Sequence, residues 1–336
     1  MKKMRLRTKI IIAVIAVVII IYCIIGNVIV SAALVPDFMR KLEAFDRVTE
    51  QSYSEMVQTD EITENMKAAA EKTKAVLGNA GGFKEKITSY DGYELIAACF
   101  RQPEPEGKPW AVLLHGYTGW KEEMYHHAAE YYGRGFNVLC PDLRCQGESE
   151  GDFIGMGWTD REDVILWVNN ILAAYPDAEI VVQGESMGAS CALMLNGLNL
   201  PENIVCLISD CAYSDSVTMF RKQLKDWFSL PDIGFVSSAR LWLRIRGGYD
   251  LKDASALNEV AKGSVPTLFI HGDQDRIVPV EAAGELYEAS CASEKELLIV
   301  EGAPHTLSIL KDPETVEKRL TGFLDKYFSA KERNQL

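Results

Sequence analysis

Positive charge is scarce over most of this chain. Of its 35 Lys and Arg, five (Lys2, Lys3, Arg5, Arg7 and Lys9) precede Ile10, leaving 30 basic against 48 acidic residues from Pro36 onward, a net charge near −18. So acidic a surface excludes nucleic acid as a partner, because phosphate binding needs clustered Lys and Arg. Eight cysteines include no C-x-x-C or other spaced ligand set, which argues against zinc, and no metal or cofactor is expected. Nor do they form a disulfide framework. Cys23 lies in an apolar run; Cys99, Cys140, Cys191 and Cys206 sit in or beside others and read as small core residues, with Cys145, Cys211 and Cys291 left open. Buried free thiols suit an organism living without oxygen or a domain kept in the cytoplasm. Histidine is rare too, with five in 336 residues.

Charge of either sign is absent from Ile10 to Val35. At about 1.5 Å per residue this stretch can cross a hydrocarbon layer of about 30 Å. The basic flank should stay in the cytoplasm and send the rest of the chain outward. A cleaved signal peptide is the rival reading, with Ser31-Ala32-Ala33 at the cut. Such peptides have apolar cores of about 7–15 residues, so an uncleaved signal anchor over 1–35 is the expectation.

Residues 36–82 are polar, and Phe38, Leu42, Phe45, Val48, Tyr53 and Met56 recur at helical intervals until Asn79-Ala80-Gly81-Gly82 breaks the pattern. A stalk is the reading taken, ahead of a helix packed on the domain or a partner. From Phe83 to about 330, strands alternate with helices, and 331–336 is a tail. The strands are expected at Lys84–Thr88, Glu94–Phe100, Ala111–Leu114, Asn137–Cys140, Ile180–Gln183, Ile204–Ser209, Thr267–Ile270 and Glu296–Val300. Thr159-Asp160-Arg161-Glu162 reads as a capping box. This alternation implies a mostly parallel sheet covered on both faces. Segment 213–262 departs from it, and its Phe220, Trp227, Phe228, Phe235 and Trp242 either line a pocket or glue a small helical lid to the core.

Gly184-Glu185-Ser186-Met187-Gly188 follows the apolar run Ile180-Val181-Val182 and precedes an apolar helical stretch. A serine at such a strand–helix junction sits on a sharp turn, with glycines removing side chains that would collide. Its hydroxyl is then held out to attack a carbonyl. Two later strands end in Asp273-Gln274-Asp275-Arg276-Ile277-Val278-Pro279 and in Ala303-Pro304-His305. Among the histidines, adjacent His126 and His127 read as surface or packing residues. His115 and His271 each precede glycine at a strand end and read as loop braces. His305 remains as the base.

With His115-Gly116-Tyr117-Thr118-Gly119 and Pro141-Asp142-Leu143-Arg144, these segments make residues 84–330 resemble the α/β-hydrolase superfamily. Within it the chain looks like bacterial membrane-anchored hydrolases of the serine aminopeptidase-like (S33-type) and esterase–lipase branch. The resemblance implies an α/β-hydrolase fold with an eight-stranded, mostly parallel sheet, helices on both faces and a small helical lid. It implies Ser186 as nucleophile, His305 as base and Asp275 as acid, with Asp273 the fallback. It further implies an oxyanion hole from the backbone N–H groups of Tyr117 and Met187. The Tyr117 ring either touches substrate or packs the loop. Relatives commonly carry Arg-Gly-x-Gly after Pro-Asp, whereas here Cys145 takes the first glycine position; a left-handed backbone there would cost about 1 kcal/mol or more.

The expected activity is cleavage of small carboxylic esters through an acyl-enzyme. An S33-type peptidase or amidase, or an acyltransferase, is the alternative within enzymes. The alternative from another class is an inactive hydrolase-like module that binds a partner. A small acyl substrate and the membrane are the expected partners.

Overall fold

The computed structural model describes residues 6–39, 59–229 and 231–328. The expected stalk positions Leu42, Phe45, Val48, Tyr53 and Met56, the basic residues Lys2, Lys3 and Arg5, and the 331–336 tail lie outside them.

Eight strands, β1 (Phe83–Thr88), β2 (Glu94–Phe100), β3 (Trp110–Leu114), β4 (Asn137–Pro141), β5 (Ile180–Glu185), β6 (Ile204–Asp210), β7 (Thr267–Gly272) and β8 (Lys295–Val300), form one sheet in the order β1-β2-β4-β3-β5-β6-β7-β8. β2 pairs antiparallel with β1 and β4, and every other pairing is parallel. Period-two alternation supplies both faces from single strands. In β3, Trp110, Val112 and Leu114 join one core with Val182, Leu207 and Phe269, while Ala111 and Leu113 join the opposite core with Val181, Ile208 and Ile270. Burial on both sides is why these strands read as unbroken apolar runs.

The longer helices are α1 (Leu6–Leu34), α2 (Asp60–Leu77), α3 (Tyr125–Gly133), α4 (Asp160–Ala174), α5 (Met187–Met194), α6 (Ser216–Phe228), α7 (Phe235–Arg246), α8 (Glu281–Ala289) and α9 (Pro313–Phe328). Thr159 does not cap α4: its side chain makes no cap bond, and Asp160 instead accepts from the N–H of Gly157 at 2.7 Å. The chain turns into α4 one residue too early for the expected box, because Thr159 is already helical.

Two segments behave differently from a simple anchor on a stalk. Over Asp60–Leu77 the chain is a helix capped by Thr59, with Ile62 and Leu77 buried, not a free spacer. Asn65 donates to the carbonyl of Leu310 at 2.9 Å, and Lys72 pairs with Glu130 of α3. Helix α1 is exposed from Arg7 to Ile21 but packs from Tyr22 onward, and Val30 and Leu34 belong to the main core. Among the described residues it is the one helix long and apolar enough to cross a membrane.

Candidate active site

Strand β5 delivers Ser186 on a strained turn, with φ +52° and ψ −112°. A positive φ costs a non-glycine residue roughly 1–2 kcal/mol, tolerated where the surroundings leave no alternative. Here the constraint is close packing. A Cβ on Gly184 would lie 2.2 Å from the Gly188 backbone, and one on Gly188 would lie 2.1 Å from the carbonyl oxygen of Leu114. Only glycine allows α5 to start this near β3.

The loops after β7 and β8 bring two further side chains to that serine. The Ser186 hydroxyl lies 2.8 Å from His305 Nε2, and His305 Nδ1 lies 2.6 Å from Asp275 Oδ2. With Nδ1–H donating to the carboxylate, Nε2 accepts the hydrogen bond of the Ser186 hydroxyl. Asp275 Oδ1 accepts from the N–H groups of Ile277 and Val278 at 2.9 and 2.8 Å. His271 Nε2 stands 3.2 Å from Asp275 Oδ2 and 3.0 Å from the carbonyl of Val278. Burial alone would raise the Asp275 carboxyl, but His305 and His271 together hold it well below the usual carboxylate range. Asp273 faces elsewhere, its Oδ1 accepting from the N–H of Gly302 at 2.7 Å.

The loop after β3 lies alongside. A Cβ on Gly116 would sit 3.6 Å from Ser186 Cβ, so the backbone at Gly116 borders Ser186. His115 braces this loop: its Nδ1 lies 2.7 Å from the Gly116 carbonyl, and its Nε2 accepts from the Leu143 N–H at 2.9 Å. Complete burial pushes His115 down to about 4, which keeps it neutral. The Tyr117 hydroxyl donates to the Ala33 carbonyl in α1, so its ring is committed to packing. At the departure from the relatives' pattern, Cys145 does adopt a left-handed backbone, with φ +65°.

Segment 213–262 supplies α6, α7 and the short turn Ala256–Val260. Phe220 and Trp242 pack against the main core, whereas the side chains of Trp227 and Phe228 lie outside the description. The second half of α1 lies on α7 so closely that a Cβ on Gly26 would fall 2.0 Å from Ser238 Oγ. Ser238 Oγ donates to the Tyr22 carbonyl at 2.9 Å, and Arg246 donates to Asn27 Oδ1 and Ser31 Oγ at 2.7 and 2.8 Å.

Two features escaped the sequence reading. His271 touches Asp275 as well as bracing its loop. Of the residues read as surface or packing, His127 is buried and His126 partly exposed, and both turn toward Glu185, the residue before Ser186. No spacing announces that contact, because tertiary packing alone brings α3 against β5.

Residues 109–236 match the family model described as alpha/beta hydrolase fold, and residues 242–314 match that of serine aminopeptidase, S33. The uncharacterised Bacillus subtilis protein YqkD is 28% identical over 76% of this chain and 80% of its own length. Mouse monoglyceride lipase is 26% identical over 66% of this chain and 82% of its own. Among solved structures, a Pyrococcus furiosus esterase superposes with a TM-score of 0.60 at 25% identity, covering 74% of this chain and 91% of that one.

Proposed function

Since this chain belongs to the α/β-hydrolase superfamily and is a hydrolase, we propose that it cleaves small carboxylic esters through an acyl-enzyme formed on Ser186. The observation that carries the reading is the unbroken hydrogen-bonded series Ser186–His305–Asp275, at 2.8 and 2.6 Å. A hydroxyl is a weak nucleophile until a base takes its proton, and His305 Nε2 is within reach of it. Asp275 fixes the imidazole tautomer and stabilises the imidazolium without taking the proton. The N–H groups of Met187, at the start of α5, and of Tyr117 receive the developing oxyanion. Losing one such donor would cost about 3–4 kcal/mol of transition-state stabilisation.

A second reading, an amidase or peptidase, is favoured by the S33 match over 242–314. The same three groups cleave amides when His305 protonates the leaving amine. Fluorophosphonate labelling of the purified protein tests the shared chemistry; folded protein that takes no label leaves a binding module in its place. Rates on p-nitrophenyl esters against aminoacyl anilides then divide esterase from peptidase.

In this proposal residues 83–330 form the catalytic domain, carried outside the cell on an uncleaved α1. Retention of the helix is supported by Val30, 1% exposed in the core, and by the bonds that Arg246 donates to Asn27 and Ser31. A cut after Ala33 would remove Val30 from the same core.

A further inference from the structure

We propose that His126, His127 and Glu185 form a binding site for a divalent transition metal ion of the zinc class, joining α3 to the end of β5 behind the nucleophile turn.

Their candidate ligand atoms lie within 4.8 Å of one another. Both imidazoles are oriented through Nδ1. That of His126 lies 2.8 Å from the Glu123 carbonyl, and that of His127 lies 3.2 Å from the Gln183 amide, which is itself held by the Tyr131 hydroxyl at 2.7 Å. A far-nitrogen N–H donated to a carbonyl, as at His126, is how proteins aim a metal-binding histidine, whereas His127 Nδ1 accepts from the Gln183 amide until that amide turns over. Each Nε2 therefore turns inward, to 3.7 Å (His126) and 2.8 Å (His127) from Glu185 Oε1. Ligands at about 2.0–2.1 Å in a tetrahedron stand roughly 3.3 Å apart, between those two values.

His126 supplies the decisive detail. Its Nδ1 faces a carbonyl and carries a proton, so Nε2 holds either a second proton facing Glu185 or, once that proton leaves, a lone pair for a metal ion. That atom is buried and has no hydrogen-bond partner, and the nearest group facing it is a carboxylate. A lone pair opposed to a carboxylate needs a cation between them. Two imidazoles and one carboxylate are a donor set suited to zinc, with a fourth position left for water. Binding requires both Nε2 atoms unprotonated and releases the proton that His127 shares with Glu185. The Gln183 amide turns over to accept from His127 Nδ1, an exchange of oxygen and nitrogen within the same volume.

The full-length protein in detergent, stripped with a chelator and dialysed against Zn(II) or Co(II), tests this directly. One equivalent should bind, and the Co(II) form should show the visible absorption of a tetrahedral nitrogen–oxygen site. His126→Ala and Glu185→Gln should weaken binding by more than about 100-fold, beyond the loss of an outer hydrogen-bond partner. His305→Gln should keep it, which separates this site from the other possible ligand cluster, Cys211, Asp275 and His305. Circular dichroism establishes that each variant is folded, and partly exposed His126 is the position where substitution is least disruptive. Absence of stoichiometric binding, or binding that survives His126→Ala, would overturn the proposal and leave a proton as the occupant. The readout is independent of whether Ser186 is a nucleophile.

Discussion

Tyr117, in the loop beside Ser186, donates its hydroxyl to the carbonyl of Ala33, one residue from the end of the apolar helix α1. The segment that would hold the protein at a membrane is thus also bonded to the loop that follows β3. Only Arg7–Ile21 of α1 is fully open to its surroundings, about 22 Å of helix at 1.5 Å per residue. That is shorter than the hydrocarbon layer of about 30 Å, so the rest of the hydrolase must sit close against the bilayer if α1 spans it.

Shortening Leu34 to Ala should destabilise the detergent-solubilised full chain by about 2–5 kcal/mol, as for other fully buried leucines. Tyr117→Phe should cost about 0.5–1.5 kcal/mol, the usual net value of one hydrogen bond. Chemical denaturation measures both. A loss below about 1 kcal/mol for Leu34→Ala would mean the helix end is not built into the core.

Ser186→Ala should abolish fluorophosphonate labelling and lower ester turnover on the order of 10⁶-fold, since the remaining groups no longer have a nucleophile to act on. Asp275→Asn should cost about 10⁴-fold in kcat by leaving His305 in the wrong tautomer. Asp273→Asn removes only the bond to the Gly302 N–H and should cost far less. A larger loss at 273 than at 275 would reverse the assignment of the acid.

Asp160 is fully buried, with Oδ1 unpartnered, and burial followed by Asp163 pushes its carboxyl up to about 7. The ordinary value is about 3.9, so between pH 4 and 7 the folded state holds a proton that the unfolded state has lost. Stability contributed by this group is therefore full below pH 4 and falls as pH rises to about 7. Asp160→Asn keeps the shape of the neutral acid and should flatten that fall, though Asp210, also pushed up to about 7, keeps part of the slope. Urea denaturation at pH 5 and pH 8 should show the variant gaining on the wild type at the higher pH. Parallel curves would contradict the account.

Cys291 is the one exposed cysteine of the eight, and none is in a disulfide. If the basic flank stays in the cytoplasm, a membrane-impermeant maleimide should label intact cells, and Cys291→Ser should remove that labelling. Labelling that appears only after lysis would place the catalytic part inside.

Much of the fold was legible because its signals are local. Strands buried on two faces need unbroken apolar runs, and all eight expected strands lie within a residue or two of their observed ends. Gly184 and Gly188 marked the tight turn because only glycine fits there. The Thr159 cap misled because a capping sequence competes with the backbone path set by Gly157 and Asp160. The packed Asp60–Leu77 helix was less visible, since a polar amphipathic stretch reads alike whether its apolar stripe meets solvent or a neighbour.

Sequence alone determined where strands, helices and the Ser186 turn fall, along with the long apolar helix, because backbone sterics and periodic burial act over a few residues. Tertiary structure decided which aspartate meets His305, where the second half of α1 docks, and that His126 and His127 converge on Glu185, 58 positions beyond His127. Those outcomes depend on how separate layers pack and on the direction of single hydrogen bonds. Neither leaves a periodic trace along the chain.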